Sequence, residues 1–291
     1  MSVHWPMTRI LHVLDHSLPA HSGYTFRTRA LMKAQVAKGW DVAGVTGVRH
    51  PEPGPDGETV DGLTFYRTAP IAPARAPIRE WREIGALAKR VEALAKEWKP
   101  DVLHAHSPVL DGLAALRVGK KLGIPVIYEI RAFWEDAAVG NGTGREGSLR
   151  YRLTKRLETH AVKSADAVAV ICEGLRGDLI ARGIDPAKII VSPNGVDLVL
   201  FGGPPPRDDA PAETLGLAAD DGVIGYIGSF YDYEGIDDLV AAMPALAAAQ
   251  PKARLLLVGG GPMEAALKAQ AAAWPVAAQI HFVWRVPLGE G

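Results

Sequence analysis

A single cysteine, Cys172, stands among 291 residues. One thiol makes neither an internal disulfide nor a multi-cysteine metal site, and its isolation suits a reducing compartment. Excess charge is missing too. Lys and Arg number 32 against 33 Asp and Glu, a net of -1, which leaves no global electrostatic footprint for nucleic acid or a strongly acidic partner. Long apolar runs are also lacking: Ile10 to Leu14 is short and broken by His12, and the alanine-rich stretch 241–249 contains Pro244. Nothing therefore reads as a secretion signal or a membrane span. The last absence is a dinucleotide fingerprint. The first strand leads into Pro19-Ala20-His21-Ser22-Gly23-Tyr24 and not into G-x-G-x-x-G, which argues against a nicotinamide or flavin dehydrogenase.

What is present is an alternation of short β-branched runs with longer segments of helical period, the pattern of a parallel sheet covered by helices. Strands are expected at Arg9 to Leu14, Asp41 to Thr46, Val102 to Ala105, Pro125 to Glu129, Ala167 to Ile171 and Ile189 to Val191. Between them, Thr25 to Lys38 reads as a helix with Phe26, Ala30, Leu31, Ala34 and Ala37 on its inner face, ending at Gly39. A hairpin is expected around Val60-Asp61-Gly62-Leu63. A long helix carries Trp81, Ile84, Leu87, Val91, Leu94 and Trp98 as a core stripe, and Pro100 closes it. Further helices are expected near Leu110 to Lys121, Ser148 to Lys163 and Leu175 to Arg182.

Composition then shifts to Gly202-Gly203-Pro204-Pro205-Pro206-Arg207-Asp208-Asp209-Ala210-Pro211, which propagates neither helix nor sheet and reads as a linker. A second alternation follows. Val223 to Ile227 is expected to be a buried strand, with a tight turn at Gly228-Ser229 and a helix entered through Gly235-Ile236. Such a connection leaves backbone N–H groups at a helix N-terminus, where the macrodipole favours a phosphate. Then come a strand Arg254 to Val258, a turn at Gly259-Gly260-Gly261-Pro262, a helix over 263–273 and a strand Ile280 to Val283. The fold class is thus α/β, with two Rossmann-like, doubly wound parallel-sheet domains: 1–201, a linker at 202–211, and 212–291, the second incomplete. Asp232-Tyr233-Glu234 has the look of a D-x-D metal triplet, but acids ahead of a helix complement its dipole, so no metal is expected there.

Five motifs in order carry a resemblance. They are Pro19 to Tyr24, Asp101-Val102-Leu103-His104-Ala105-His106-Ser107, Val191-Ser192-Pro193-Asn194-Gly195-Val196-Asp197, Ile227-Gly228-Ser229-Phe230 with Glu234-Gly235, and Leu255 to Pro262. Together the set resembles the retaining glycosyltransferases of family four, which have the B-type fold of two Rossmann domains. Leu14-Asp15-His16-Ser17-Leu18-Pro19 and Tyr128-Glu129-Ile130-Arg131-Ala132-Phe133-Trp134-Glu135-Asp136 look most like the subgroup associated with exosortase and exopolysaccharide systems.

That resemblance implies transfer of a sugar from a nucleotide-sugar donor to a glycan or lipid-linked acceptor, with retention and with no cofactor or metal. It makes His106 the catalytic residue, with His104 on the same face of the strand as its support. It makes Gly23, Asn194, Gly228, Ser229 and Glu234 substrate-binding positions. Where many members of the family place Arg and Lys to grip the diphosphate, this chain has Ser229 and Glu234. Glu234 would repel a diphosphate, so a cation from the first domain is expected to compensate, Arg131 first and Arg27 second. The helix bearing Arg150, Arg152, Lys155, Arg156 and Lys163 has a basic surplus suited to peripheral contact with the inner membrane surface, and the protein is expected in the cytoplasm. Members of the family continue well past the equivalent of Val283, so the chain as written is expected to have a loose second domain and impaired activity. Two other functions stay open: a nucleotide-sugar epimerase, and a non-catalytic remnant that acts as an interaction module.

Overall fold

The computed structural model describes residues 7–51, 56–140, 142–198, 202–203 and 214–283. Most of the expected linker, 204–211, lies outside them. The chain divides into two compact units, Met1–Ala137 with Arg145–Gly195 and Ala138–Gly144 with Val196–Gly291.

The first unit is built on β1 (Arg9–Leu14), α1 (Gly23–Ala37), β2 (Asp41–Thr46), the hairpin β3 (Glu58–Val60) and β4 (Leu63–Arg67), then α2 (Ile78–Trp98) and β5 (Val102–His106). It continues through α3 (Val109–Leu122), β6 (Val126–Ile130), α4 (Trp134–Gly140), α5 (Leu149–Ser164), β7 (Ala167–Val170), α6 (Glu173–Ala181) and β8 (Ile189–Val191). Asp61 and Gly62 turn the hairpin with φ of 54° and 75°, the left-handed pair that suits the twist of two antiparallel strands. The sheet order is β3-β4-β2-β1-β5-β6-β7-β8, parallel except for β3 against β4. The chain thus moves outward from β1 to β2, returns to β5 beside β1, and moves outward the other way. The β1/β5 boundary is the topological switch point, beyond whose carboxyl ends ligands of open α/β sheets bind.

The two faces of this sheet differ. Leu11 and Val13 of β1, with Leu103 and Ala105 of β5, join α2 and α3 in the largest apolar cluster. On the opposite face Ile10, Leu14 and Val42 pack with Met32 of α1. Two expectations are corrected here. α1 turns in Thr25, Thr28, Met32 and Gln35, and leaves Ala30, Ala34 and Ala37 exposed, because the wall it meets is partly polar. Trp81 is 74% exposed: the stripe of α2 becomes core only from Leu87 onward, and Glu83 takes the buried place in the first turns.

The second unit contains β9 (Gly222–Ser229), α7 (Ile236–Ala249), β10 (Ala253–Gly260), α8 (Glu264–Ala272) and β11 (Ile280–Val283), in a parallel three-stranded sheet of order β11-β10-β9. Phe230, Ile236, Val240, Met243, Leu255, Leu257 and Leu267 form its core. β9 was expected to be buried, yet Ile227 is 83% exposed and Val223 40%. Its one strand neighbour among the described residues is β10, and the apolar cluster draws on β10, β11 and the helices, with only Tyr226 of β9 packed against it. Gly228-Ser229 and Gly259-Gly260, expected in turns, lie inside the ladder, with Gly228 opposite Gly259 and Ser229 opposite Gly260, and the turn begins only at Gly261-Pro262. A Cβ on Gly259, at φ 144°, would collide with the carbonyl oxygen of Gly228, so a side chain is excluded where the two strands end together.

Candidate active site

Strand register alone assembles the centre of the first unit. His12 of β1 lies opposite His104 of β5, and His106 lies opposite Glu129 of β6. Side chains two apart on a strand share a face, so all four point toward α1. The rings of His104 and His106 stack with centroids 4.3 Å apart, and that of His12 stands 4.9 Å and 5.2 Å from them. A helix packed over three imidazoles needs polar groups on its inner side, which is why α1 buries Gln35 and Thr28 there.

The hydrogen bonds run in one direction. Nη2 of Arg131 lies 2.8 Å from Nδ1 of His106, and a guanidinium only donates, so that Nδ1 accepts and the His106 proton sits on Nε2. His106 Nε2 donates over 2.9 Å to Nδ1 of His12. His12 in turn carries its proton on Nε2 and donates over 2.8 Å to Oε1 of Gln35. Burial, then the neighbouring His104, push His106 down to about 3. Burial, with His104 and His106, holds His12 well below its ordinary value. Both rings are neutral near pH 7.

Glu129 is the anion of this network. Its Oε1 accepts from Nε of Arg27 at 3.0 Å and from Nε of Arg131 at 2.9 Å. Burial pushes this carboxyl up. His106 and His104 beside it, with the two guanidiniums on Oε1, outweigh burial and hold it well below the usual carboxylate range. Arg131 also donates to the Tyr24 carbonyl and to Thr28 Oγ1, and lies over the Tyr24 ring at 4.3 Å. Arg27 reaches the other way, donating to the Ser192 carbonyl at 2.8 Å, the Pro193 carbonyl at 3.1 Å and Asn194 Oδ1 at 2.9 Å. One carboxylate thereby ties α1, β6 and the loop after β8 together.

At the mouth of this arrangement, Ser22 caps α1 by accepting from the backbone N–H of Thr25 at 3.1 Å. His16 bridges Asp15 Oδ2 at 2.9 Å and Ser22 Oγ at 2.7 Å, and stacks on Tyr24 at 4.5 Å. Burial, then the charge of Asp15, raises Asp111 at the start of α3 well above the ordinary carboxyl value, and its Oδ2 has no hydrogen-bond partner.

His12, His104 and His106 are also the one group among the described residues whose ligand atoms lie within 4.8 Å of one another, close enough for a metal ion. Their protonation does not fit one. With Arg131 on Nδ1, the remaining nitrogen of His106 carries its proton and points it at His12, so neither ring of that pair offers a free lone pair to the space between them.

Four of the seven residues singled out in the sequence fall in this unit. His106 is fully buried with both nitrogens engaged, so it is a network member and has no face open to a ligand. Arg131, expected to reach toward a diphosphate, turns inward to Glu129, His106, Thr28 and Tyr24. Asn194 is exposed but held by Arg27, and Gly23 opens α1 where a Cβ would meet nothing within 4 Å. Gly228, Ser229 and Glu234 belong to the second unit. Glu234 is exposed on a single 3-10 turn, Asp232–Glu234, and helps burial raise the Tyr226 phenol. None of these three lines that unit's cavity of about 340 Å³, which Phe230, Gly259, Glu264, Lys268, Phe282 and Val283 enclose. The sequence reading passed over His12, Gln35 and Glu129 as site residues. The available signal was parity: a histidine inside β1, two on β5 and an acid on β6, all facing one way.

These features define a class: an α/β protein of two Rossmann-like units whose polar centre sits at the switch point of the first sheet. The chain belongs to the glycosyl transferase 4-like family, whose domain matches residues 22–195, and residues 209–290 match a second model, glycosyl transferases group 1. D-inositol 3-phosphate glycosyltransferase of Segniliparus rotundus is 33% identical over 165 residues, 56% of this chain and 35% of that protein. The match therefore spans about a third of that relative's length. Sucrose-phosphate synthase from Thermosynechococcus elongatus shares the fold with a TM-score of 0.71 at 20% identity, over 96% of this chain and 71% of that one. Anabaena HepE, solved in complex with UDP-glucose, shares it with a TM-score of 0.59 at 16% identity, over 96% and 69%.

Proposed function

We propose that this protein transfers a sugar from a nucleotide-sugar to an acceptor hydroxyl with retention at the anomeric carbon, in exopolysaccharide or other cell-surface glycan synthesis. The observation that carries the reading is the closed network of His12, His106, Arg131, Glu129 and Arg27 at the switch point, within a chain of the glycosyl transferase 4-like family. The HepE complex supports a uridine diphosphate sugar as the first donor to try.

In this reaction the bond from the anomeric carbon to the diphosphate oxygen breaks and a bond to the acceptor oxygen forms on the same face. The acceptor's proton passes to the departing phosphate oxygen. Charge gathers on the leaving group, so fixed donors lower the barrier more than a general base does. His106 is a positioning residue in this scheme, because its nitrogens are engaged within the protein. It and Glu129 fix the start of α1, where Gly23, His16 and Tyr24 face the acceptor. No cofactor enters this scheme, and a lone cysteine suits the cytoplasm. No helix among the described residues is long and apolar enough to cross a membrane.

Isothermal titration of the 291-residue chain with UDP-glucose and a panel of other nucleotide-sugars, followed by anomeric analysis of products, tests the reading. Binding is expected, with at most slow turnover, to a product of retained configuration. A folded chain that binds none of them, or one that yields an inverted product, overturns it.

A further inference from the structure

Helix α5 is amphipathic in an unusual sense, because its solvent side carries leucines. Glu158, Ala161 and Val162 face the core, while Leu149 is 83% exposed, Leu153 54% and Leu157 37%. Residues four apart lie one above another, so these leucines form a continuous stripe on the side away from the sheet. Exposed cations flank it: Arg150 on one edge, Arg152, Arg156 and Lys163 on the other, with Lys155 beyond. The helix's one acid, Glu158, is turned inward and holds the Tyr128 hydroxyl at 2.7 Å. In the turn before the helix, Arg145 offsets Glu146.

The stripe leads to a groove. His160, one turn beyond Leu157, lines an open cavity of about 690 Å³ between α3 and α5, together with Leu113, Leu116, Arg117 and Lys120. Arg117 and Lys120 are exposed on its rim and Asp166 is the one acid in its lining, so the groove joins leucines to a net cationic rim as the helix does. Its position is set by topology: α5 ends where Asp166 holds the backbone N–H of Val126, at the starting edge of the sheet, opposite the histidine network.

We propose that the leucine face of α5 and the adjoining groove dock this protein on an anionic phospholipid surface, the helix lying in the interface with its leucines among the acyl chains and its cations on headgroup phosphates. Charge complementarity selects this occupant. A partner protein's acidic helix would match the arginines but leave three leucines needing an apolar counterpart along the same line, whereas a bilayer interface offers both layers at once. The inference is independent of sugar transfer.

The test is co-sedimentation of the full 291-residue chain with vesicles of phosphatidylglycerol and phosphatidylethanolamine in equal parts, against vesicles of phosphatidylcholine alone, at low and high salt. Binding to the anionic vesicles, weakened by salt and by phosphatidylcholine, is expected. Arg152→Gln with Arg156→Gln should weaken it about 25-fold, at about fivefold per cation. Leu149→Ser with Leu153→Ser should weaken it by a factor of about a hundred at unchanged charge, at about 1.5 kcal/mol or more per inserted leucine. All four side chains are on the surface, so unchanged circular-dichroism melting is expected to confirm that the variants fold, and Lys89→Ala, on α2, should bind as wild type does. Failure of the folded wild type to sediment with anionic vesicles overturns the proposal. So does binding that the leucine pair leaves intact, or a wild-type dimer that the leucine pair dissolves, since the stripe would then meet a second copy.

Discussion

β1 and β5 present two faces of one sheet, and the two are stabilised by different physics. Leu11, Val13, Leu103 and Ala105 on one side belong to the large apolar cluster under α2 and α3. There the cost of a change scales with volume removed, and one residue's loss leaves its neighbours chemically intact. His12 and His106, from the intervening positions, belong to a hydrogen-bonded line in which each group satisfies another, and His104 stacks on His106 with its Nε2 3.3 Å from Glu129. Removing one strands the next, so the polar face is fragile in proportion to how completely it is satisfied.

The sharpest way to break this comparison is Arg131→Met. It leaves His106 Nδ1 without a donor and Glu129 with Arg27 as its one guanidinium, and should lower the unfolding free energy by about 3–5 kcal/mol in urea denaturation. A loss no greater than an ordinary surface substitution, within about 0.5 kcal/mol, would mean that the line contributes little.

Acid separates the faces next, because the buried titratable groups of the histidine face are held in their high-pH form, while Glu158 and Asp111, under the helices of the other face, are shifted the opposite way. His12 and His106 are depressed in the fold, His106 to about 3, against about 6.5 unfolded. Between those values the unfolded chain binds protons that the fold refuses, so their contribution is complete above about pH 6.5 and is lost as pH falls, by up to about 1.4 kcal/mol per unit for each. Glu158, raised to about 7, and Asp111, also raised, act in the opposite sense, stabilising the fold as pH falls toward their unfolded values. Below about 4.5 the help from Glu158 is exhausted and depressed Glu129 joins the loss. The urea midpoint should therefore drop more steeply from pH 4 to pH 3 than from pH 6 to pH 5. Equal slopes would show that the imidazoles are not held neutral.

The smallest effect belongs to the end of the line. Gln35→Leu keeps the bulk but leaves the Nε2–H of His12 unpartnered, at a cost of about 1–3 kcal/mol by the same denaturation. A neutral or stabilising result would place water, and not Gln35, on that proton.

The alternation of strands and helices was legible because period and turn chemistry are local properties. The inner face of α1 was not. Apolar periodicity selects Ala30, Leu31 and Ala34, and the fold buries Thr28 and Gln35, because what a helix faces is decided by strands distant in sequence. The same limit explains the site. His106 stood out as a strand-end histidine, while His12 looked like a blemish in an apolar run until β1 and β5 were laid side by side. Arg131 and Arg27 were legible as cations but not as partners of Glu129, a pairing between residues 102 apart in the case of Arg27. Val223 to Ile227 misled for a related reason: hydrophobic content marks a strand, and the number of layers around it decides whether it is buried.

The fixed direction of the chain from Arg131 through His106 and His12 to Gln35 has a consequence for transport. A relay conducts protons only if its first member can release one and its last can take one up. Here the source is a guanidinium, which stays charged at any working pH, and the sink is an amide oxygen, which does not become a base in water. The line of imidazoles is an insulator. Its value to the molecule is metric: it holds the distance between α1 and the sheet constant while protons move elsewhere.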